Sequence, residues 1–542
     1  MIAKNQVFEL EITGQTHDGL GVGRKDSMAV FVQGAIAGER VMAKVIKVLK
    51  NYAVARIEAF IEMSSDRIEP FCPVYKRCGG CSLQHMSYER TLKFKRQAVM
   101  DNLERIGGLS GIQVKPVIGM EAPRRYRNKA QYPVGMGEKG PIAGFFAPRS
   151  HEIIESEECG IQHPVSDLAK NIILEFMKTN SIAAYDEKTH NGLIRHVVTK
   201  VGFATGEAMV IIVSTSPDIP KKDRLVSLLK EKLPGLKSII LNINNKPGNV
   251  VMGSKNITLY GKDAIEDRLG GLTFEISPLS FYQINPAQTL VLYEKAMEYA
   301  GLTGEETVFD LYCGIGTISL FAARKVKRVI GVESVTEAVE AARRNAEKNS
   351  IANAEFFCGN AEDVVPELYS QGIKADVVIV DPPRKGCDEV LLKTLIEMAP
   401  DRIIYVSCNP STLARDMKVL HGSGYIAKEV QPVDMFPWTS HVESVVLLSH
   451  KRADSFINVK MEYDDDIYRA PDRVTYKLIQ EYIEDKYNFK VHTAYIAEVK
   501  RSLGLPMYDA PNAVEELKYP YKPAPEFKVE AIKDALRHFN VI

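Results

Sequence analysis

Residues 307–325 read "TVFDLYCGIGTISLFAARK", and the fold turns on how they are read. A short apolar run ends in a turn that holds Gly314 and Gly316, and a helical period follows. Strand, glycine turn and helix in that order form the opening unit of a parallel α/β sheet. The glycines let the backbone come close to a ligand, and the helix start offers free N–H groups. Asp310 precedes the turn, and Glu333 ends the next apolar run, "RVIGVES". An acid at that second strand end is placed to accept hydrogen bonds from ribose hydroxyls.

Strand, loop and helix then repeat over residues 304–450, the pattern of a doubly wound, Rossmann-like sheet. No third glycine stands at the dinucleotide spacing, and the loop carries no phosphate-binding lysine. Both absences argue against NAD and ATP. A nucleoside without pyrophosphate fits better, and S-adenosylmethionine is the common one. "FFCGNAEDV" puts Asn360 after one strand and "DVVIVDPPRKG" puts Asp381 after another, where ligands of such sheets sit. Each acid alone reads equally well as a turn or cap residue; four strand-end features in order do not.

The next strand end is "IYVSCNPSTLARD", residues 404–416. Cys408 there is a core thiol, a metal ligand or a displayed nucleophile, and a small buried hydrophobe is the default for cysteine. Asp-Pro-Pro is followed by Arg384 rather than an aromatic residue, and the next strand delivers Cys408; that combination favours chemistry at a ring carbon over an exocyclic amine. Carbon 5 of a uracil is too weak a nucleophile to take a sulfonium methyl directly. A thiolate added at carbon 6 makes it an enolate, and a base must then remove the carbon-5 proton. "HVE" at 441–443 offers Glu443, with His441 two residues before it. A solvated glutamate at a strand start is the competing reading.

The chain has 542 residues, 45% hydrophobic and 25% charged, with zero formal net charge. That length exceeds one core and implies three or four domains. No apolar run reaches membrane-spanning length, and "MIAKNQVFELEIT" is no signal peptide, so a cytoplasmic protein without a membrane partner is expected. The neutral total hides local asymmetry: Cys72 to Gln131 holds twelve Lys/Arg against four Asp/Glu. This stretch includes the basic amphipathic period "SYERTLKFKRQAVMDNLERIG" and "RRYRNK", a candidate footprint on phosphates. A solvated charged face is the alternative for any one of these residues.

Residues 1–62 alternate apolar and polar positions between glycines, which predicts about five short strands in an OB-like barrel. Residues 63–290 predict an α/β region, 291–450 the Rossmann-like domain, and 451–542 a small, mostly helical extension. Within that tail the helices around "YNFKVHTAY" resemble a helix-turn-helix pair, and "YPYKPAPEF" is Pro-rich. No function is assigned to it. Cys72, Cys78, Cys81 and the distant Cys159 follow C-x5-C-x2-C spacing, enough thiols for one zinc or one iron–sulfur cluster. From spacing alone zinc is favoured; His85 lies nearby.

Together these motifs resemble the S-adenosylmethionine-dependent RNA uracil-5-methyltransferases, particularly 23S rRNA enzymes of the RumA/RlmD type. The likeness rests on "FCPVYKRCGGCSLQH", "RYRNKAQYPV", "SFYQINPAQ", "DLYCGIGTISL", "VDPPRKG", "VSCNPSTLARD" and "HVE", and covers roughly residues 1–450. It implies that the N-terminal barrel is a TRAM domain, an OB-like RNA-binding module. It implies Cys408 as nucleophile, Glu443 as the base for the carbon-5 proton, and Asp381 in the pocket between cofactor and uracil. It further implies Gln283, Tyr312 and Glu333 at cofactor-binding positions, beside the glycine turn. The four cysteines match ligands of a [4Fe–4S] cluster, which reverses the preference for zinc. The expected product is 5-methyluridine in 23S rRNA, made by a monomer on a flipped-out uridine. The same reaction on tRNA and a non-catalytic RNA-binding assembly factor are the alternatives.

Overall fold

The computed structural model describes residues 2–450, 475–505, 524–539 and 541. Contacts divide the chain into two compact units, Met1–Asp454 and Ser455–Ile542.

The first unit opens with a six-stranded sheet. Its spatial order is Val7–Glu11, Arg40–Val48, Tyr52–Glu62, Met28–Gln33, Gly21–Lys25, Gly14–Gln15. Alternate residues such as Leu10, Val30, Val32, Val41, Ala43 and Val45 point into one core, as the period-two pattern requires. The sixth strand is only two residues long, which is why a count of about five fell short.

A seven-stranded sheet follows, ordered Ile153–Glu155, Gly140–Phe146, Lys129–Gly137, Ile194–Val201, Ala208–Ser214, Leu236–Ile243, Lys255–Gly261. Every residue of Ile194–Val201 and Ala208–Ser214 is buried, because both faces of the sheet are covered. Helices Pro164–Thr179 and Lys222–Lys232 pack on one face. On the other, Val198, Met209 and Ile211 share a core with the hairpin Ile265–Leu269/Leu272–Ile276, with helix Pro286–Ala300 and with the last sheet. The expected boundary at 290/291 therefore runs through one continuous apolar core.

The last sheet has eight strands. Ala354–Cys358, Arg328–Glu333, Thr307–Leu311, Val377–Val380 and Arg402–Ser407 are parallel. Glu443–His450 then runs antiparallel to Arg402–Ser407, with Tyr425–Val433 beyond it. Chain order reverses between Thr307–Leu311 and Val377–Val380, the point where such sheets bind ligands. The two-residue strand Gln113–Val114, far upstream, closes the edge against Tyr425–Val433. Helix Tyr88–Arg105 lays Val99 and Leu103 into the same core as Leu413, Ala414 and Met417. Its basic residues are accordingly not all free for phosphates: Lys95 is wholly buried, and Arg96 donates to the Val114 carbonyl at 2.7 and 2.9 Å.

In the second unit, helices Tyr476–Tyr487, Thr493–Ser502 and Glu526–His538 enclose Ile479, Ile483, Ile496, Val499, Ile532 and Leu536. The expected helix pair thus has a third partner. The Pro-rich stretch lies outside the described residues as far as residue 523. No helix among the described residues is long and apolar enough to cross a membrane.

Candidate active site

The site forms where strand ends of the last sheet meet the loop before helix Pro286–Ala300. After Thr307–Leu311 the chain takes positive φ at Tyr312 (66°), Gly314 (56°) and Gly316 (81°) before helix Thr317–Ala323. A Cβ at Gly314 would meet nothing within 4 Å, so the turn opens onto free space on that side. Glu333 braces the turn: its carboxylate accepts from Gly314 N–H at 3.1 Å and from Val335 N–H at 2.9 Å.

Asp310 is fully buried and accepts a hydrogen bond from the Ser319 hydroxyl through one oxygen, while the other has no partner. Burial pushes its carboxyl up to about 7, with Ser319 opposing and the Asp381 charge adding to the rise. Asp381 follows Val377–Val380 and is also pushed up to about 7 by burial, with a hydrogen bond from Gln283 opposing. Gln283 is itself buried, and its carbonyl accepts from the Asn128 amide at 2.8 Å. Asn360 is exposed, precedes helix Ala361–Ser370, and donates to Asp363 at 3.0 Å.

Cys408 follows Arg402–Ser407 and is partly buried. Asn409 fixes its exit: the side chain caps helix Pro410–Gly422 through Ser411 N–H at 3.1 Å and donates to the Arg384 carbonyl at 2.9 Å. Burial, then the Glu443 and Asp381 charges, push the thiol up to about 11, against the Arg384 guanidinium. Glu443 begins the neighbouring antiparallel strand, beside the Ser407–Ser444 pair. It is 3% exposed, so the solvated reading of this residue fails. Burial and the Asp381 charge hold its carboxyl well above the usual range, with Arg384 opposing, and one oxygen lacks a partner. Arg384 Nη2 stands 3.4 Å from Nε2 of His441. Cys408, Glu443, Asp381 and Gln283 are thus brought together, with Asp310 behind them.

Unpartnered buried atoms of Asp310, Glu443 and the Tyr312 hydroxyl mark where a polar ligand belongs. Two carboxyls whose raised pKa values a positive charge would bring back down, together with the open glycine turn, fit a cationic nucleoside. Sequence reasoning missed Tyr293, whose buried hydroxyl lies 3.0 Å from that of Thr317 and within the electrostatic reach of Asp381, Asp310 and Glu443. In the sequence it is one apolar position of a helix. A surface depression of about 720 Å³ beside Arg343, Glu347 and Phe356 holds none of these residues.

The four upstream cysteines line one separate cavity of about 150 Å³ with Tyr75, Gln84 and Arg127. Burial pushes Cys81 up to about 12 and Cys159 up to about 11. The Gly80 N–H donates to Cys78 Sγ at 3.3 Å. Four thiols around one buried cavity, with a backbone donor on sulfur, suit a group bound through sulfur. Among the described residues, however, no three Cys, His, Asp or Glu side chains converge on a single point as a metal ion requires. His85, which lies nearby in the sequence, meets the Tyr75 hydroxyl through Nδ1 at 2.6 Å.

Comparison with known proteins accords with this geometry. The tRNA (Uracil-5-)-methyltransferase family matches residues 251–451, and the TRAM domain matches residues 3–57. An RNA methyltransferase of Halalkalibacterium halodurans is 52% identical over 450 residues, 83% of this chain and 98% of its own. One from Caldanaerobacter subterraneus subsp. tengcongensis is 54% identical over 441 residues, 81% of this chain and 97% of its own. The crystal structure of Pyrococcus abyssi tRNA (uracil-54, C5)-methyltransferase in complex with S-adenosyl-L-homocysteine is 30% identical, with a TM-score of 0.66. It covers 81% of this chain and 99% of its own. The chain belongs to the S-adenosylmethionine-dependent RNA uracil-5-methyltransferases, with a TRAM domain ahead of the catalytic fold.

Proposed function

We propose that the chain methylates carbon 5 of a uridine in 23S rRNA through a covalent intermediate on Cys408. The observation that carries this is the pairing of a thiol and a buried, unpartnered carboxyl at the ends of adjacent antiparallel strands, beside Asp381 and Arg384. Gln283, Tyr312, Glu333 and the Gly314–Gly316 turn would hold S-adenosylmethionine, which when bound would supply an electrophilic methyl and leave as S-adenosylhomocysteine. Cys408, as thiolate, adds to carbon 6 of the uracil, and carbon 5, now enolate-like, takes the methyl. Glu443 then accepts the carbon-5 proton, and the electron pair expels the Cys408 sulfur and restores the ring double bond. Arg384 favours both the thiolate and the Glu443 carboxylate, since its charge opposes their raised pKa values.

The four cysteines hold a [4Fe–4S] cluster in this reading. What supports it is that all four cysteines line one cavity, together with the family resemblance, which is what sets a cluster above zinc. When bound, the cluster would tie these four cysteines into a rigid core, and methyl transfer needs no electron from it. An absorption spectrum of anaerobically purified protein separates iron from zinc.

A tRNA target is the second reading, favoured by the archaeal tRNA enzyme, which aligns over 99% of its length. The deciding experiment incubates the protein with methyl-labelled S-adenosylmethionine and either 23S rRNA or tRNA transcripts. Label in 5-methyluridine of 23S rRNA is expected; label in tRNA alone overturns the target, and Cys408→Ala that still transfers methyl overturns the mechanism.

A further inference from the structure

Between Val433 and Glu443 lies the loop Asp434–Val442, "DMFPWTSHV", whose interior is tied to the cysteine-bearing segment. The Trp438 carbonyl accepts from both Ser82 N–H and Leu83 N–H at 3.0 Å, and Ser440 N–H donates to the Ser82 hydroxyl at 3.1 Å. Ser82 directly follows Cys81. Trp438, 5% exposed, sets its ring 5.4 Å from Phe71 and 5.4 Å from Tyr88. Cys81 and Cys159 pack against the same apolar cluster. Its backbone takes φ 68°, a left-handed conformation that a bulky side chain holds only when its surroundings enforce it.

Further anchors come from the same side. The Phe436 carbonyl accepts from Lys95 Nζ at 2.9 Å and the Pro437 carbonyl from the Tyr126 hydroxyl at 3.0 Å. Asp434 is ion-paired to Lys95 with both side chains wholly buried, and accepts from the Tyr88 hydroxyl at 2.7 Å. Only His441 and Val442 separate the last anchored residue, Ser440, from Glu443. None of these contacts touches Cys408.

We infer that Trp438 is a positioning residue for Glu443: through the loop it anchors, the wall of the four-cysteine cavity fixes where the base stands. The inference rests on Glu443 acting as base and deepens that reading. It assigns the cavity's wall to the second half of the reaction, removal of the carbon-5 proton, with no direct contact to the attacking Cys408. A misplacement of about 1 Å at a proton-accepting carboxyl is enough for a ~100-fold loss.

The test separates the two halves. Full-length protein, Trp438→Phe and Ser82→Ala are each given RNA and S-adenosylmethionine, and methylated protein–RNA adduct surviving denaturation is measured beside turnover. For both variants turnover falls at least ten-fold while first-turnover methyl transfer persists, so methylated adduct accumulates. Trp438→Phe retains an aromatic ring and exceeds Trp438→Gly in turnover. Trp438 is the only tryptophan of the chain, so its emission reports the loop directly. Stripping the cavity with a chelator and oxidant shifts that emission to the red, and the stripped protein accumulates adduct as the variants do. Unchanged turnover in both variants, equal loss of methyl transfer and release, or emission unmoved by stripping overturns the inference. RNA carrying 5-fluorouridine, which has no carbon-5 proton to remove, must trap all three proteins equally. A variant that fails to trap it has lost Cys408 attack, which also overturns the inference, whereas failure of the unaltered protein removes the covalent mechanism itself.

Discussion

The Cys408 thiol is the group whose reactivity the structure constrains most sharply. With its pKa pushed up to about 11, a thiolate fraction of ~0.001 follows at pH 8, against roughly a quarter for an ordinary thiol. Higher intrinsic nucleophilicity of the more basic thiolate returns roughly ten-fold, leaving alkylation ~20-fold slower than at a free cysteine. The assay is iodoacetamide labelling of the ligand-free protein across pH 6–12, read by mass spectrometry on the tryptic peptide 403–415, which contains Cys408 and no other cysteine. Two substitutions must move the profile in opposite directions. Asp381→Asn removes a carboxylate that raises the thiol, and a one-unit fall gives about ten-fold more thiolate at pH 8, which its lower nucleophilicity cuts to about three-fold faster labelling. Arg384→Gln removes the opposing cation and slows labelling further. A half-point at or below pH 8.5 in the unaltered protein, or the same direction of change in both variants, would refute the account of the site.

Glu443→Gln should trap methylated RNA on Cys408, with turnover down by ~100- to 10,000-fold and adduct visible on denaturing gels. Asp310 and Asp381 carry carboxyls raised to about 7, so the folded protein binds protons there that the unfolded chain releases near pH ~4. Stability of the ligand-free protein therefore falls as pH rises from about 4 to about 7; Asp310→Asn should flatten that slope in thermal melts. S-adenosylmethionine should stabilise more strongly above pH 7, where both carboxylates face its positive charge, than at pH 5. Lys95→Met strands Asp434 as a buried anion and should cost ~3–5 kcal/mol in denaturant unfolding, whereas Lys95→Met with Asp434→Leu should recover much of the loss.

How much of this was legible beforehand depends on the range over which each signal acts. The turn at 312–316, the alternation in the barrel strands and the Asn-Pro helix start after Cys408 are local devices. Glycine torsions, strand pleat and caps are set within a few residues, so the order of strands and helices could be read off directly. The strand ends bearing Glu333, Asp381 and Cys408 followed from that order. Glu443 did not: the residue opens a strand, and only the covering of both sheet faces makes it buried rather than solvated. Lys95 misled for a related reason, since a basic helix looks solvated until the Asp434 carboxylate, far along the chain, closes over it.

By itself, then, the sequence determined a Rossmann-like sheet behind a small barrel, a nucleoside site without a phosphate loop, and a thiol at a strand end. The tertiary structure alone decided that the acids beside that thiol are buried, that Arg384 opposes them, and that Gln113–Val114 belongs to the final sheet. It alone brought Ser82 and Leu83 against Trp438. Burial and charge proximity are properties of neighbours in space, and these neighbours lie tens to hundreds of residues apart, beyond the reach of any periodicity or motif.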